Sequence, residues 1–375
     1  MPRISRLVAL SAAALLTAAV SGCSSATDTG AGQTPSASTS AAAPSAGATS
    51  TAATSGTAAS GTAATVDPAA PWTPVTIQHA LGTTTIEERP ERVATVNWAN
   101  HEVPLALGVV PVGMAAANFG DDNADGVLPW VEAKLDELGA ETPVLFDETD
   151  GIDFEAVADT DPDVILAAYS GLTQEDYDTL SEIAPVVAYP ETAWGTSWRE
   201  MIQFNSQAMG MAAEGTALIG ELEQEIATAA AKYPQLEGVA TAFLTHVDTA
   251  DLSEVSFYTT HDTRVAFFAD LGLATPASIA TASASTDTFS LSRSAEQADA
   301  FDDVQVIVTY GGDELLTALK GDALLSQMPA VAAGAVVNLP GTSPLGTAAN
   351  PTPLSISYVL DDYLALLAAA ADKVR

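Results

Sequence analysis

A stretch of sequence that occurs twice constrains the fold of this chain most strongly. Residues 153–171 read "DFEAVADTDPDVILAAYSG" and residues 294–312 read "SAEQADAFDDVQVIVTYGG". Aligned without a gap, the copies share a glutamate near the start and a tyrosine followed two residues later by glycine. Each copy has the pattern of a helix start, a buried strand and a turn, as in a sheet covered on both faces. A chain that carries this unit twice is expected to build two similar α/β halves.

Apolar runs with β-branched residues alternate with amphipathic stretches along the rest of the chain. These runs predict strands at 92–96, 109–113, 143–146, 163–168, 185–189, 239–245, 255–259, 304–309 and 335–339. A helix is predicted over residues 173–183, because Thr173 and Asp176 have the spacing of a capping box. This alternation predicts two Rossmann-like α/β lobes with a ligand cleft between them.

The segment that connects the two predicted lobes contains no proline and is rich in helix-forming residues. It predicts a single long backbone helix over 196–233, between a first lobe at 71–195 and a second at 234–375. Three glycines, at positions 210, 215 and 220, each cost about 1 kcal/mol against alanine in a helix. Two helices broken near Gly215 are therefore the alternative.

The beginning of the chain has the layout of a lipoprotein signal over residues 1–22. Arg3 and Arg6 precede a short apolar run that ends in small residues. The sequence "VSGC" ends at Cys23 and resembles a bacterial lipobox, whose cysteine is lipidated; an ordinary signal with a stray cysteine is the alternative. Residues 23–70, dominated by Ala, Ser, Thr and Gly, predict a disordered tether.

The composition excludes several classes of function. Twelve basic residues against 48 acidic ones give a net charge of −36, which excludes nucleic-acid binding because phosphate contacts need a basic face. Cys23 is the only cysteine, so no disulfide and no cysteine-ligated metal can form within one molecule. Four histidines, His79, His101, His246 and His261, show no metal-ligand spacing, and no metal site is predicted.

The chain also lacks the sequence motifs of the common enzyme classes. Neither Gly-x-Ser-x-Gly, nor Gly-x-Gly-x-x-Gly after a strand, nor a Walker loop occurs. No catalytic residue and no cofactor are therefore predicted, and we expect a monomeric binding protein rather than an enzyme. A secreted hydrolase is the remote alternative.

Four segments, taken in order, resemble one protein family over residues 73–373. They are "VTIQHALGTTTIEERPERVATVNWANHEVPLALGVVPVG", "DFEAVADTDPDVILAAYSGLTQEDYDTLSEIAPVVAYP", "AWGTSWREMI" and "NPTPLSISYVLDDYLALLAAAADK". The family is that of the substrate-binding lipoproteins of iron–siderophore ABC importers. The resemblance implies capture of a ferric siderophore and its delivery to an ABC importer permease. It also implies attachment to the outer face of the cytoplasmic membrane through a lipid on Cys23.

The resemblance implies a docking role for the two repeated glutamates. Glu155 and Glu296 occupy the positions where this family pairs one carboxylate on each lobe with arginines of the permease. A glutamate in the first turn of a helix is also favourable simply because of the helix dipole. Asp153 and Ser294 are predicted caps of the two helices.

The ligand is expected in the crevice beyond the carboxyl ends of the strands. Tyr169 and Tyr310 would face each other there. The predicted substrate-binding residues are Trp98, Tyr169, Trp194, Tyr258, Arg264 and Tyr310. Arg264 either holds an anionic chelate or pairs with a carboxylate of the chain. An aromatic cleft of this kind would also suit haem or a corrinoid, and a directly bound metal ion is a further alternative.

Some members of the family carry an arginine shortly before the position of Glu155. Here that segment reads "FDETDGIDFE" and contains no basic residue. The departure favours a neutral or cationic ferric complex, such as a hydroxamate chelate with a free amine, over a strongly anionic one.

Overall fold

The computed structural model describes residues 71–375. The predicted signal (1–22), the tether (23–70) and the lipidation site Cys23 lie outside the described residues. None of the helices within 71–375 combines the length and the apolarity that crossing a membrane requires.

The first lobe contains a small hairpin and a parallel sheet. The hairpin consists of β1 (Val75–His79) and β2 (Gly82–Ile86). The sheet strands are β3 (Val93–Thr95), β4 (Gly113–Ala115), β5 (Val144–Phe146), β6 (Val164–Leu166) and β7 (Val186–Val187). They lie in the order β5-β4-β3-β6-β7, and every pairing is parallel.

The second lobe contains a mixed sheet. Its strands are β8 (Thr241–His246), β9 (Glu254–Tyr258), β10 (Ser290–Ser294), β11 (Val306–Tyr310) and β12 (Val336–Leu339). They lie in the order β10-β9-β8-β11-β12. The strands β8, β11 and β12 are parallel, whereas β9 is antiparallel to both of its neighbours. The predicted α/β class with two lobes is confirmed.

Helices cover both sheets. They are α1 (Glu102–Ala106), α2 (Pro129–Leu138), α3 (Phe154–Asp159), α4 (Gln174–Ser181), α5 (Trp198–Ala208), α6 (Ala212–Ala230), α7 (Thr263–Asp270), α8 (Ala277–Ser283), α9 (Leu315–Gly321), α10 (Pro329–Ala333), α11 (Pro344–Ala348) and α12 (Ser355–Ala371). Short 3-10 segments lie at Pro234–Leu236, Ala295–Phe301 and Leu325–Gln327. The predicted capping box is present at α4: the Thr173 hydroxyl accepts from Asp176 N, and the Asp176 carboxylate accepts from Thr173 N.

One strand prediction needs correction, and three strands were not predicted. Only the last residue of the run 109–113 lies in a strand, since β4 begins at Gly113. Pro111 has no N–H to donate to a ladder, which explains the late start. The strands β2 and β10 are dominated by Thr and Ser and have little apolar character, and β1 (VTIQH) alternates apolar and polar residues, so none of the three contains an apolar run.

The prediction of a single long connecting helix is wrong. The chain leaves α5 after Ala208 and enters α6 at Ala212, and Gly210 between them has a left-handed φ of 71°. A Cβ atom on Gly210 would lie 2.2 Å from the ring of Trp72, so glycine is needed both for the turn and for the contact. The two helices fold back on each other, as the ion pair between Arg199 and Glu223 (2.7 Å) shows.

One of the hydrophobic clusters spans the two lobes. It contains Leu166 from the first sheet, Val308 from the second and Tyr363 from α12. The C-terminal segment also packs against the first lobe, where the buried Glu102 accepts hydrogen bonds from Trp130 Nε1 (2.7 Å) and from Leu354 N (2.8 Å). Contacts between residues distant in the sequence therefore hold the two lobes together.

Candidate functional site

A cavity of about 320 Å³ lies between the lobes, and both lobes contribute to its wall. We call it the aromatic cavity. It is lined by Trp98, Phe119, Tyr169, Trp194, Asp262, Arg264, Phe289, Tyr310, Thr347 and Asn350. The structure thus brings together five of the six predicted substrate-binding residues, including the tyrosines of the two repeat copies.

A side-chain amide holds Tyr169 in position. The strand β6 ends at Leu166, before the predicted end at residue 168, and Tyr169 lies beyond it. Beyond it, Asn100 Oδ1 accepts from Tyr169 N (3.0 Å) and Asn100 Nδ2 donates to Tyr169 O (2.9 Å). Asn205 Nδ2 on α5 donates to the same Oδ1 (3.1 Å). Asn100 takes the place of a neighbouring strand, because its amide supplies the donor and acceptor that the ladder lacks.

The loops that carry the two tryptophans have strained backbones. Asn97, Ala99 and Trp194 all have left-handed φ values, between 58° and 61°. Such conformations cost about 1–3 kcal/mol each in non-glycine residues and persist where the surroundings enforce them, often at ligand sites. Here they place Trp98 and Trp194 in the cavity wall.

Trp194 packs tightly against the first repeat copy. Its ring meets that of Tyr169 edge to face at 5.5 Å. A Cβ atom on Gly171 would lie 2.2 Å from Trp194 Nε1. This contact explains why the copy needs glycine two residues after its tyrosine.

In the second lobe an ion pair forms part of the wall. Arg264 Nε donates to Asp262 Oδ1 (2.8 Å), and Arg264 Nη2 donates to Asp262 Oδ2 (2.6 Å). Burial lowers the pKa of Arg264, but the hydrogen bonds and charge of Asp262 outweigh it and raise that pKa well above its usual value. The guanidinium therefore stays charged, and Asp262 compensates it. Of the two alternatives predicted for Arg264, the structure shows pairing with a carboxylate of the chain. The pair itself lies in the wall of the aromatic cavity.

The sixth predicted residue, Tyr258, does not line the aromatic cavity. Its ring lies under the Arg264 guanidinium, 3.9 Å from ring centroid to Cζ, and is 7% exposed. Burial raises the pKa of Tyr258 to about 12, so the phenol is neutral. A cation–π contact of this kind orients the guanidinium from behind. Tyr258 thus supports the wall and does not form its surface.

Tyr310 is held by aromatic stacking and not by an amide. Its ring stacks on His246 at 4.7 Å, and His246 in turn lies 6.2 Å from Phe119. Burial, together with the charge of Arg264, lowers the pKa of His246. The imidazole is therefore neutral at pH 7.

Sequence reasoning missed several wall residues. Asn350 donates to the Tyr169 hydroxyl (3.1 Å) and accepts from Thr263 Oγ1 (2.5 Å), which links the two lobes across the cavity. Phe289 precedes β10, a strand without an apolar pattern, and is 42% exposed. For Phe289 the only available signal was its aromatic type. Asn350 lies in a Pro-rich loop whose orientation depends on the packing of α12.

The two repeated glutamates are exposed at helix starts, away from the wall of the cavity. Asp153 caps the first helix by accepting from Ala156 N (3.0 Å), and Ser294 caps the second by accepting from Glu296 N (3.3 Å), as predicted. The second helix is a 3-10 segment. Within residues 71–375, neither Glu155 nor Glu296 forms an ion pair.

The wall has the chemistry of a binding surface for a bulky, weakly charged ligand. Aromatic faces dominate it, and its one cation is compensated by its one carboxylate. In the part of the chain that the structure describes, no group of three or more His, Cys, Asp or Glu side chains is arranged to hold a metal ion.

Comparison with known proteins gives a consistent result. A model of the periplasmic binding protein family matches residues 93–342. The solved structure of PiaA from Streptococcus pneumoniae TIGR4, in complex with ferrichrome, superposes with a TM-score of 0.77 at 44% identity and covers 80% of this chain and 100% of that one.

Two curated proteins match over shorter stretches. The probable siderophore-binding lipoprotein YfiY of Bacillus subtilis is 29% identical over 153 residues, which are 40% of this chain and 43% of YfiY. The Fe(3+) dicitrate-binding periplasmic protein FecB of Escherichia coli is 27% identical over 218 residues, 56% of this chain and 64% of FecB. The chain thus spans about half the length of the curated relatives it matches.

Proposed function

Because the chain belongs to the periplasmic binding protein family, we propose that it captures a ferric siderophore in the aromatic cavity and delivers it to an ABC importer permease. The observation that carries this proposal is the wall itself, to which both lobes contribute aromatic rings around a compensated ion pair. The likeness to PiaA, whose solved complex contains ferrichrome, supports a siderophore as the ligand. The protein binds and releases its cargo without turnover, and the iron enters only as part of the chelate.

Within the siderophores, the charges favour ferric hydroxamates. An uncharged trihydroxamate complex needs no counter-charge, whereas a tricatecholate complex carries several negative charges. Arg264, the only cation among the described residues of the wall, is already bonded to Asp262, and the chain as a whole has a net charge of −36. Burying an uncompensated anion here would be costly. Arg264 can still donate through its remaining N–H groups to a neutral hydroxamate oxygen.

A ligand panel tests the capture step. Trp98 and Trp194 line the aromatic cavity, so ligand binding is expected to quench tryptophan fluorescence. The soluble body from residue 71 is titrated with ferric hydroxamates, ferric catecholates, ferric citrate, haem and cobalamin. We expect saturable one-to-one quenching by hydroxamates and recovery of the chelate unchanged. Preference for haem or cobalamin, or chemical conversion of a ligand, would contradict the proposal.

The delivery step is proposed to use Glu155 and Glu296. Both are exposed and lie outside the wall of the aromatic cavity, so they are available to pair with basic residues of a permease. In cells, Glu155→Lys and Glu296→Lys should each impair iron–siderophore uptake and leave chelate affinity unchanged. Glu175→Lys, at another exposed helix start, is the matched control and should retain uptake. A loss of affinity in either variant would assign the glutamate to the binding site.

Attachment at the outer face of the cytoplasmic membrane is proposed to depend on a lipid on Cys23. Two or more acyl chains would be needed, because one chain anchors a protein only marginally. A Cys23→Ala variant should move from the membrane fraction to the soluble fraction. Its retention in the membrane fraction would contradict the anchor.

A further inference from the structure

A second cavity, of about 360 Å³, adjoins the aromatic cavity and shares Trp98 and Trp194 with it. We call it the acidic side cavity. Its polar wall includes Asn97, His101, Asn118, Glu148 and Asp176. Among the described residues that line it there is no lysine or arginine. The side cavity therefore presents carboxylates without a compensating cation, in contrast to the aromatic cavity.

Glu148 is fixed with its carboxylate half-buried in this wall. Both of its oxygens accept from Asn97 N (3.1 and 3.0 Å), and Oε2 also accepts from Asn97 Nδ2 (3.1 Å). These neutral donors orient the carboxylate. A carboxylate can accept about four hydrogen bonds, so Glu148 can still accept from a ligand. Within residues 71–375 no basic side chain pairs with Glu148.

His101 adds an unsatisfied polar group to the same wall. The side chain is 6% exposed, and its Nδ1 has no hydrogen-bond partner in the described part of the protein. Burial lowers the pKa of His101 to about 4, so the ring is neutral and adds no positive charge. The ring therefore does not offset the negative charge of Glu148.

We propose that the acidic side cavity is a subsite for a protonated aminoalkyl arm of the chelate bound in the aromatic cavity. This inference rests on the proposed function. The iron-bearing core would lie in the aromatic cavity, and the arm would pass the shared tryptophans Trp98 and Trp194. Its methylene groups pack on their rings, which also attract a cation. The ammonium donates to Glu148, where a charge-assisted hydrogen bond forms without displacing a basic residue.

The test uses two ferric trihydroxamates that differ at one group. The first is a linear chelate with a free terminal amine, and the second is the same chelate acetylated on that amine. We expect the wild-type protein to bind the amine form about tenfold more tightly, which is about 1.4 kcal/mol. In Glu148→Gln, which keeps the shape but removes the charge, the two affinities should become equal within about twofold.

Asp147→Asn is the matched control, because it removes the same charge from the exposed neighbour of Glu148. It should keep the tenfold preference. Equal affinities in the wild type, or an unchanged preference in Glu148→Gln, would overturn the subsite while the proposed function stands. Binding of neither chelate would overturn both. If Glu148→Gln fails to fold, Glu148→Asp is used in its place and should reduce the preference, because its carboxylate lies one methylene farther from the arm.

Discussion

The two sheets have the same strand order and pairing on one side of their central strands and different pairing on the other. In both, the strand of the repeat lies fourth, between the central strand and an edge strand, with parallel pairings: β3-β6-β7 in the first lobe and β8-β11-β12 in the second. On the other side, β4 and β5 are parallel, whereas β9 and β10 form antiparallel pairings. The repeated half places a tyrosine in the aromatic cavity from each lobe. On the differing side, the second lobe contributes Asp262, Arg264 and Phe289 to the wall, and the first lobe contributes Phe119.

The tyrosines of the two repeat copies both line the aromatic cavity, but different neighbours hold them in position. Tyr169 lies beyond the end of its strand and is held by the neutral amide of Asn100. Tyr310 is the last residue of β11 and lies beside the charged pair of Arg264 and Asp262. A buried amide network thus positions the tyrosine of the first lobe, whereas the tyrosine of the second lobe stacks on His246 beside an ion pair. Substitutions in these two groups of residues should therefore lower the free energy of unfolding by different amounts.

The largest effect is expected for Asp262→Ala. The substitution leaves a mostly buried guanidinium unpaired and removes the cap of α7, where Asp262 accepts from Arg264 N (2.9 Å). Breaking one partner of such a pair costs about 3–5 kcal/mol when it is fully buried. Arg264 is 17% exposed, and we expect a loss of about 3–4 kcal/mol in the free energy of unfolding, measured with urea. A loss below about 1 kcal/mol would mean that solvent compensates the arginine.

A slightly smaller effect is expected for Asn100→Ala. It leaves Tyr169 N and O and Asn205 without partners in the core, at about 1–3 kcal/mol for each unsatisfied group, partly relieved by relaxation. We expect a loss of about 3 kcal/mol together with weaker chelate binding. Asn338→Ala in the second lobe, which loses one exposed bond to Gly312 O, is the matched control and should cost less than about 1 kcal/mol. Equal losses would show that the amide network is not special to the first lobe.

An intermediate effect is expected for Glu102, which ties the first lobe to the C-terminal segment. Burial raises its pKa from 4.5 to about 6, against the opposing hydrogen bonds from Thr352, Leu354 and Trp130. Since the folded-state pKa is raised, its favourable contribution is complete below pH 4.5 and is lost as the pH rises through about 6. That difference corresponds to about 2 kcal/mol.

The measurement compares Glu102→Gln with the wild type by urea unfolding between pH 4.5 and 7.5. Relative to the wild type, the variant should gain about 2 kcal/mol of stability as the pH rises through this range. Glu175→Gln, at an exposed position, should follow the wild-type pH dependence. Parallel curves for Glu102→Gln and the wild type would show that Glu102 is not the group that titrates.

The smallest effects are expected at the caps of the two repeat helices. Asp153→Ala should lower the free energy of unfolding by about 1 kcal/mol, a typical value for an N-cap. Ser294→Ala should lower it by about 0.5 kcal/mol, because its bond to Glu296 N is longer (3.3 Å) and leads into a 3-10 segment. A larger loss of stability in Ser294→Ala than in Asp153→Ala would contradict this prediction.

The sequence predicted the features that depend on local patterns. The buried strands, the cap at Thr173 and the caps of the repeat helices follow from apolar runs and from the hydrogen bonding of neighbouring residues. The alternative of two helices was correct, but the break lies at Gly210 and not near Gly215, because its position depends on contact with Trp72, far away in the sequence. In the aromatic cavity, aromatic type identified Trp98 and Trp194. The contributions of Asn100, Asn350 and Glu148 depend on tertiary contacts that no local pattern reveals.

The central claim is that the tyrosines of the two repeat copies form one binding site for a ferric chelate. The most direct measurement is the dissociation constant of a ferric trihydroxamate for the wild type, Tyr169→Ala and Tyr310→Ala, with urea unfolding to verify that both variants fold. We predict that each variant binds more weakly by about 1–3 kcal/mol, the value of a buried aromatic ring. An unchanged dissociation constant in both variants would contradict the claim.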